Sequence, residues 1–190
     1  MIFFALSPER TFNPRERVLM RRLEVGYTPE ILSSVLEPLI ARTSPVSLRL
    51  LDWAVVNWSK QHNVICSGPL PGQTVNVHHA YHTMLHFWKR VLFDPFRRRL
   101  RVGVLINGTQ YETTLGQANF ALFVYKTGIL SYVLGNIEAI EEDMNRVSRL
   151  HKKHLRDAKT KGCAPKRSQL TRSHSALCAA YAAPARIEFD

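Results

Sequence analysis

The chain has little cysteine, no long apolar run and fewer acidic than basic residues. Its three Cys among 190 residues are few and odd in number, which argues against a secreted disulfide scaffold. No stretch reaches the ~20 apolar residues that a membrane helix needs. The apolar start, Met1 to Leu6, lacks a positive flank and is too short for a signal peptide. We therefore expect a soluble protein of a reducing compartment, neither secreted nor bound to a membrane.

Positive charge is concentrated at the C-terminal end. The chain carries 26 Lys/Arg and 15 Asp/Glu. From Arg146 to Asp190 there are eleven Lys/Arg and three Asp/Glu, whereas residues 1–145 hold fifteen bases and twelve acids. A nearly neutral body with a basic end is typical of a folded module that carries an arm for a polyanion, most simply nucleic acid.

The apolar periodicity predicts an α+β, mostly helical fold. We expect a single compact helical domain over residues 1–157, with about six helices around one core. Asn107-Gly108 predicts a small β-hairpin between Leu100 and Thr113. Residues 158–190 contain too few apolar side chains to pack, so we expect a disordered basic tail there.

Capping residues predict where the helices begin. A Ser, Thr or Asn directly before a proline indicates helix starts at Pro14, Pro29 and Pro45. Pro38 should kink or shorten the second of these helices. Thr114, followed by Gln117, matches a capping box at the start of a later helix.

Two groups of residues have the chemistry of metal ligands. His78, His82 and His86 fall on one stripe of a predicted helix, and His pairs four residues apart can hold Zn²⁺. The zinc-protease pattern needs a Glu beside the first His, where this chain has His79. The second group lies near the C-terminus at irregular spacing and comprises His151, His154, Cys163, His174 and Cys178. Neither group completes a ligand set, so we expect no metal and no other cofactor.

The residues of nucleophilic catalysis are also not assembled. Cys66 stands in a strand-like run near His62, where a half-buried Cys is usually a packing residue. Asp52 lies in an apolar stretch. It could be buried with a raised pKa, or it points outward, or it pairs with Arg49 or with Arg97–Arg99. No glycine-rich phosphate loop is present. We therefore expect that the protein is not an enzyme.

A second basic segment precedes the hairpin. Arg97, Arg98, Arg99 and Arg101 lie close in sequence to Phe96 and other aromatic residues, so the guanidinium groups could hold phosphates. Alternatively, these arginines form a solvated face with ion pairs to Glu112 or to Glu141–Asp143. The sequence leaves both interpretations open.

A short Gly-containing connection at Thr127-Gly128-Ile129 resembles that of a helix-turn-helix. The segment that would read bases, Leu130 to Asn136, is hydrophobic and has no Arg, Lys or Gln. Any contact with DNA should therefore be to the backbone and independent of sequence.

Three stretches carry a family resemblance: SLRLLDWAVVNWSKQHNV (Ser47 to Val64), LFDPFRR (Leu92 to Arg98) and ETTLGQANF (Glu112 to Phe120). In that order they resemble an uncharacterised protein family of large double-stranded DNA viruses of algae and protists, the nucleocytoplasmic large DNA viruses. The chain departs from that pattern at Ala118 and Ala121, where bulkier residues are expected, and its tail is richer in Ala. The resemblance implies a viral context, in the virion or in the host cytoplasm or nucleus, and transfers no activity.

These observations favour a non-enzymatic viral protein that associates with DNA through its basic tail. Its body would pack with other virion proteins or with further copies of itself. The alternative is a minor capsid or scaffold protein whose tail contacts acidic protein surfaces, and a third reading is a metal-dependent enzyme. The candidate nucleic-acid-binding residues are Lys152, Lys153, Arg156, Lys159, Lys161, Lys166, Arg167, Arg172, Arg97, Arg98, Arg99 and Arg101.

Overall fold

The computed structural model describes residues 2–6, 11–98 and 101–160. Within them lie seven helices and five short strands, which confirms the α+β, mostly helical class. In chain order the elements are β1 (Phe3–Ala5), α1 (Pro14–Gly26), α2 (29–41), α3 (48–62), β2 (Ile65–Ser67), β3 (Thr74–Asn76), α4 (Val77–Leu92), β4 (Arg101–Ile106), β5 (Thr109–Thr114), α5 (Leu115–Thr127), α6 (Ile129–Gly135) and α7 (Ile137–Thr160).

The chain divides into two units, Met1–Arg146 and Val147–Asp190. The first holds every strand, α1 to α6 and the start of α7. In the second, the described part is the rest of α7, and the remainder of the predicted tail, from residue 161 on, lies outside the described residues. No helix in the described part of the chain is long and apolar enough to cross a membrane.

Helix α5 forms the centre of the first unit. Ten of its thirteen residues are buried, and it packs against α1, α2, α4, α6 and β5. Ala118 and Ala121 are fully buried. The buried Tyr27 at the end of α1 donates a hydrogen bond from its hydroxyl to the Ala118 carbonyl, 2.7 Å away. The two small side chains therefore stand where the neighbouring elements approach α5 closely.

The strands form two antiparallel sheets. One has the order β1-β4-β5, and the other pairs β2 with β3. Asn107 and Gly108 have φ angles of 48° and 79°, as a type I′ turn requires, which confirms the hairpin. The edge strand β1 pairs Phe3 with Val104 and was not predicted, because three apolar residues carry no clear strand period.

The helix starts were predicted correctly at Pro14 and Pro29, where Asn13 and Thr28 accept cap hydrogen bonds. The start predicted at Pro45 is wrong. The cap of α3 is Ser47, whose hydroxyl accepts from the Leu50 N–H at 3.1 Å. The residue before this cap, Val46, is buried, as in the hydrophobic staple that fixes how a chain enters a helix.

Two helices contain a wider π turn. The Glu37 N–H donates to the Leu32 carbonyl and the Ser59 N–H to the Ala54 carbonyl, each five residues back. In α2 the π turn directly precedes Pro38. It relieves the clash between the proline ring and the carbonyl four residues earlier, so the helix continues to Ala41 instead of stopping.

Helix α4 is interrupted near its end. Lys89 has φ 60° and ψ 166°, a conformation that non-glycine residues rarely adopt. In an uninterrupted helix the Phe87 carbonyl would accept from residue 91. Here it accepts from the guanidinium of Arg15 in α1. This contact joins the interrupted end of α4 to α1.

Candidate nucleic-acid interface

The residues that follow α4 pack closely against the start of α5, and we call this contact the junction. A Cβ atom on Gly116 would lie 2.9 Å from the Asp94 carbonyl oxygen, so the two backbones touch at this point. The fully buried Asn119 donates from Nδ2 to the Leu92 carbonyl at 2.9 Å. The residues that carried the family resemblance after Leu92 and after Glu112 therefore meet in space, and the junction they form fixes the start of the Arg97–Arg101 segment.

The segment after the junction begins with a turn held by Asp94. Its carboxylate accepts from the Phe96 N–H at 2.9 Å, and its carbonyl accepts from the Arg97 N–H at 3.4 Å. Pro95 is buried beneath the turn, whereas the Phe96 side chain is 49 % exposed. The turn therefore presents an aromatic ring to solvent directly beside two arginines.

These residues line a groove of about 840 Å³, which we call the arginine groove. Its basic and aromatic lining comes from Arg42, Phe96, Arg97, Arg98 and Arg101. Its hydroxyl and amide lining comes from Ser44, Ser47, Thr113, Thr114 and Gln117, and its acidic lining from Glu112. The rest of the lining is apolar and comes from Pro38, Leu39, Ile40, Val46, Leu48 and Pro95. The groove therefore combines hydrogen-bond donors and an excess of positive charge, which suit an anion, with an apolar part.

The four arginines of the groove have different environments. Arg101 forms an ion pair with Glu112, so the interpretation as an internal salt bridge is correct for this residue. Asp143 pairs instead with Arg146 and accepts a hydrogen bond from the Trp53 indole. The Nε atom of Arg97 is buried and has no hydrogen-bond partner among the described residues.

Arg42 ends α2 in the left-handed conformation, with φ 60° and ψ 30°. Glycine or asparagine is the usual residue at such a helix end. The side chain is exposed and lines the groove.

The second basic surface lies on α7. Arg149, Lys152, Lys153 and Arg156 are exposed there, within two to three turns of the helix. Lys159 is also in α7. The other predicted binding residues, Arg99, Lys161, Lys166, Arg167 and Arg172, lie outside the described residues.

The histidine stripe is only partly assembled. The Nε2 atoms of His78 and His82 lie 3.1 Å apart, and His86 is exposed one turn further along α4. Partial burial, together with the charges of His82 and Lys60, lowers the pKa of His78. In the described part of the chain, no group of three or more His, Cys, Asp or Glu could hold a metal ion. Of the second set, His151 and His154 are exposed on α7, and Cys163, His174 and Cys178 fall outside the described residues.

Of the alternatives given for Asp52, a raised pKa through burial is the one that the structure supports, since the residue is half-buried. Burial, followed by repulsion from Asp94, raises the pKa of Asp52 to about 6, and Arg90 opposes the shift. The charges that act on its pKa are thus those of Asp94 and Arg90, which lie at the end of α4 and just after it. The same burial raises the pKa of the nearby Tyr81.

The other sequence candidates have structural roles. Cys66 is buried in β2, and burial raises the pKa of its thiol, the opposite of what a nucleophile needs. The helix-turn-helix candidate, α5 and α6, turns at Gly128 with φ 69°. Because α5 is largely buried and α6 buries Ile129 and Val133, the pair belongs to the core.

The sequence indicates Arg97, Arg98 and Arg101, with Phe96 beside them and Glu112 as an ion-pair partner, but not the other residues of the groove. Ser44 and Thr114 were interpreted only as helix caps, and Arg42 was not singled out. The signal that could have indicated Arg42 is a basic residue at a predicted helix end, directly followed by Thr43-Ser44-Pro45.

Comparisons with known proteins give matches of two kinds. The sequence model of a family described as a family of unknown function (DUF7197) matches residues 10–179. The uncharacterized protein L507 of Acanthamoeba polyphaga mimivirus is 28 % identical over 159 residues, which cover 78 % of this chain and 61 % of the relative. The chain therefore spans about three fifths of the length of this relative. No solved structure matches the chain.

Proposed function

The chain belongs to the family of unknown function DUF7197, and from that premise we propose that it binds nucleic acid by its phosphate backbone. The similarity of the chain to a mimivirus protein confirms the viral resemblance. The binding is independent of base sequence. The protein acts as a component of the virion or of the viral factory and not as an enzyme.

The observation that carries this proposal is the basic surface at the C-terminal end. Four exposed Lys/Arg side chains stand close together on α7, and six further Lys/Arg follow between Lys159 and Arg186. Lysine and arginine clusters of this kind neutralise phosphates and release their counterions, which supplies affinity for any sequence. The arginine groove offers phosphate donors in the body as well.

Binding is favoured over catalysis by the state of the reactive groups. The Cys66 thiol has a raised pKa, and the half-buried Asp52 is not among the described residues that line the arginine groove. The His78–His82 pair is the remaining candidate site for the hypothesis of a metal-dependent enzyme. It has no carboxylate or Cys completing it among the described residues.

A charge-removal experiment tests the proposal. In the full chain, Lys152→Gln together with Lys153→Gln should lower the slope of log affinity for duplex DNA against log salt by about 1.8, or about 0.9 for each phosphate that is no longer neutralised. The matched control is Arg21→Gln together with Lys60→Gln, which removes the same charge from exposed positions of α1 and α3. Fluorescence anisotropy over a salt series measures both.

Truncation gives an independent test. Removal of residues 158–190 should leave the melting transition of the body almost unchanged and abolish most of the affinity for duplex DNA. Equal slopes for the two double variants would show that only net charge matters and would contradict a defined surface. If the full chain does not bind DNA even at low salt, the capsid or scaffold alternative takes its place. Mass spectrometry of purified virions tests the proposed location.

A further inference from the structure

The arginine groove has features that a duplex-binding surface does not need. Resting on the proposed function, we infer that this groove takes a single strand of nucleic acid, with one base stacked on the Phe96 ring and the adjoining phosphates held by Arg42, Arg97 and Arg98. The inference adds a strand form and a site in the body to the backbone binding proposed above.

The charge of the groove suits phosphates. Four arginines and one glutamate line it, and the glutamate, Glu112, is paired with Arg101. The guanidinium groups of Arg42, Arg97 and Arg98 therefore supply an excess of positive charge. Arginine presents its donors as a planar fork that matches the geometry of phosphate oxygens.

The exposed ring of Phe96 suits a base. Its neighbours in the turn, Phe93 and Pro95, are buried, whereas Phe96 is about half exposed. The Asp94 carboxylate and the close contact with Gly116 fix this turn. Proteins that bind single strands combine such a ring with a basic groove, because every base has a face on which it can stack.

The size of the groove favours a single strand over a duplex. A volume of about 840 Å³ is in the range of small-ligand sites, roughly 300–1,000 Å³, and has room for one or two nucleotides. In a duplex the faces of the bases are covered by their stacked neighbours, so an aromatic ring outside the helix has no partner. Only an unpaired base can use both Phe96 and the arginines.

The conformation of Arg42 is a further sign that its side chain is used. At a helix end in the left-handed conformation, glycine has a lower conformational energy than a residue with a Cβ atom. The sequence nevertheless places an arginine there, and its side chain lines the groove.

The test compares single and double strands on the full chain. The probes are fluorescein-labelled oligo-dT and oligo-rU of about 10 nucleotides and a duplex of equal length. Each is used at about 150 mM salt, which weakens phosphate contacts relative to stacking of a base on Phe96. Phe96→Leu should weaken single-strand binding about 5- to 100-fold and leave duplex binding unchanged. The matched control is Phe87→Leu, because Phe87 is exposed but lies outside the groove.

A second variant separates binding from folding. Arg42→Gly should lower single-strand affinity and reduce its salt slope by about 0.7, while the melting temperature stays unchanged or rises. Arg49→Gln, an exposed arginine outside the groove, should leave that slope unchanged. An oligonucleotide that contains 5-iodouracil should crosslink to the peptide that contains Phe96.

The opposite results overturn the inference. One is a single-strand affinity that is unchanged in Phe96→Leu. Another is a duplex affinity that falls as much as the single-strand affinity in this variant. The third is a set of crosslinks confined to peptides after Arg146. Displacement of the oligonucleotide by polyglutamate at equal charge would assign the groove to an acidic protein instead. If the full chain binds neither strand form, the proposed function itself fails. Tighter binding of oligo-dT or of oligo-rU identifies the strand as DNA or RNA.

Discussion

Gly116→Ala should destabilise the protein, although Gly→Ala within a helix ordinarily stabilises. Gly116 is the second residue of α5, where alanine is the better helix former by about 1 kcal/mol. The new Cβ would lie 2.9 Å from the Asp94 carbonyl oxygen and 3.2 Å from the Asp94 nitrogen. Both are backbone atoms, so they cannot rotate away as a side chain could.

The size of the effect follows from these opposing contributions. Overpacking of this kind costs about 1–3 kcal/mol, from which the gain in helix propensity is subtracted. We expect a net loss of up to about 2 kcal/mol in the free energy of unfolding. The Asp94 turn should also shift, so single-strand binding at the neighbouring Phe96 should weaken.

The matched control is Gly135→Ala. Gly135 ends α6 and has no atom within 4 Å of a Cβ placed on it. This variant should be neutral or slightly more stable, and the difference between the two variants isolates the contact with Asp94. Urea unfolding followed by circular dichroism measures both. A Gly116→Ala variant as stable as Gly135→Ala would refute the junction as a rigid contact.

Three further predictions follow from buried groups. Because the pKa of Asp52 is raised to about 6, its ionised form destabilises the fold. Asp52→Asn should therefore be more stable than the natural protein by about 1–3 kcal/mol above pH 6, and the difference should vanish near pH 4. Denaturation across this pH range measures the difference, and a difference independent of pH would contradict the prediction. Leu51→Ala should lower the free energy of unfolding by about 2–5 kcal/mol, since Leu51 is fully buried. Leu105 is 53 % exposed, so Leu105→Ala should lower it by less than about 0.5 kcal/mol. Equal losses in urea unfolding would contradict the assignment of Leu51 to the core and of Leu105 to the surface. Asn119→Ala should cost about 1–3 kcal/mol by leaving the buried Leu92 carbonyl unpaired, and a neutral result would remove this bond from the junction.

The sequence predicted the local structure well because most of its signals are local. Asn13, Thr28 and Thr114 cap helices as expected, and Asn107-Gly108 turns the hairpin. The error at Pro45 has a local cause as well. Two serines, Ser44 and Ser47, compete as caps, and the buried Val46 between them favours the second.

The arginine groove could be predicted only in part, because its residues come from distant parts of the chain. Arg97 and Arg98 were visible as a basic run. Arg42 lies more than fifty residues earlier and enters the groove through the packing of α2 against β5. Likewise, the raised pKa of Asp52 depends on its burial and on the charge of Asp94, which follows α4, and the periodicity of α3 reveals neither.

The π turns of α2 and α3 have a consequence for how the chain tolerates changes in length. A π turn holds one residue more than an α turn, so each of these helices has absorbed the equivalent of a single-residue insertion. Deleting one residue within Ala54–Trp58 should turn that segment into a plain α-helix and keep the buried faces on both sides in phase. The same deletion within Leu32–Leu36 would restore the clash between Pro38 and the carbonyl four residues earlier, so α2 should tolerate it less well. An alignment with a relative whose helices are regular should therefore place a one-residue gap inside these helices and not in the adjoining loops.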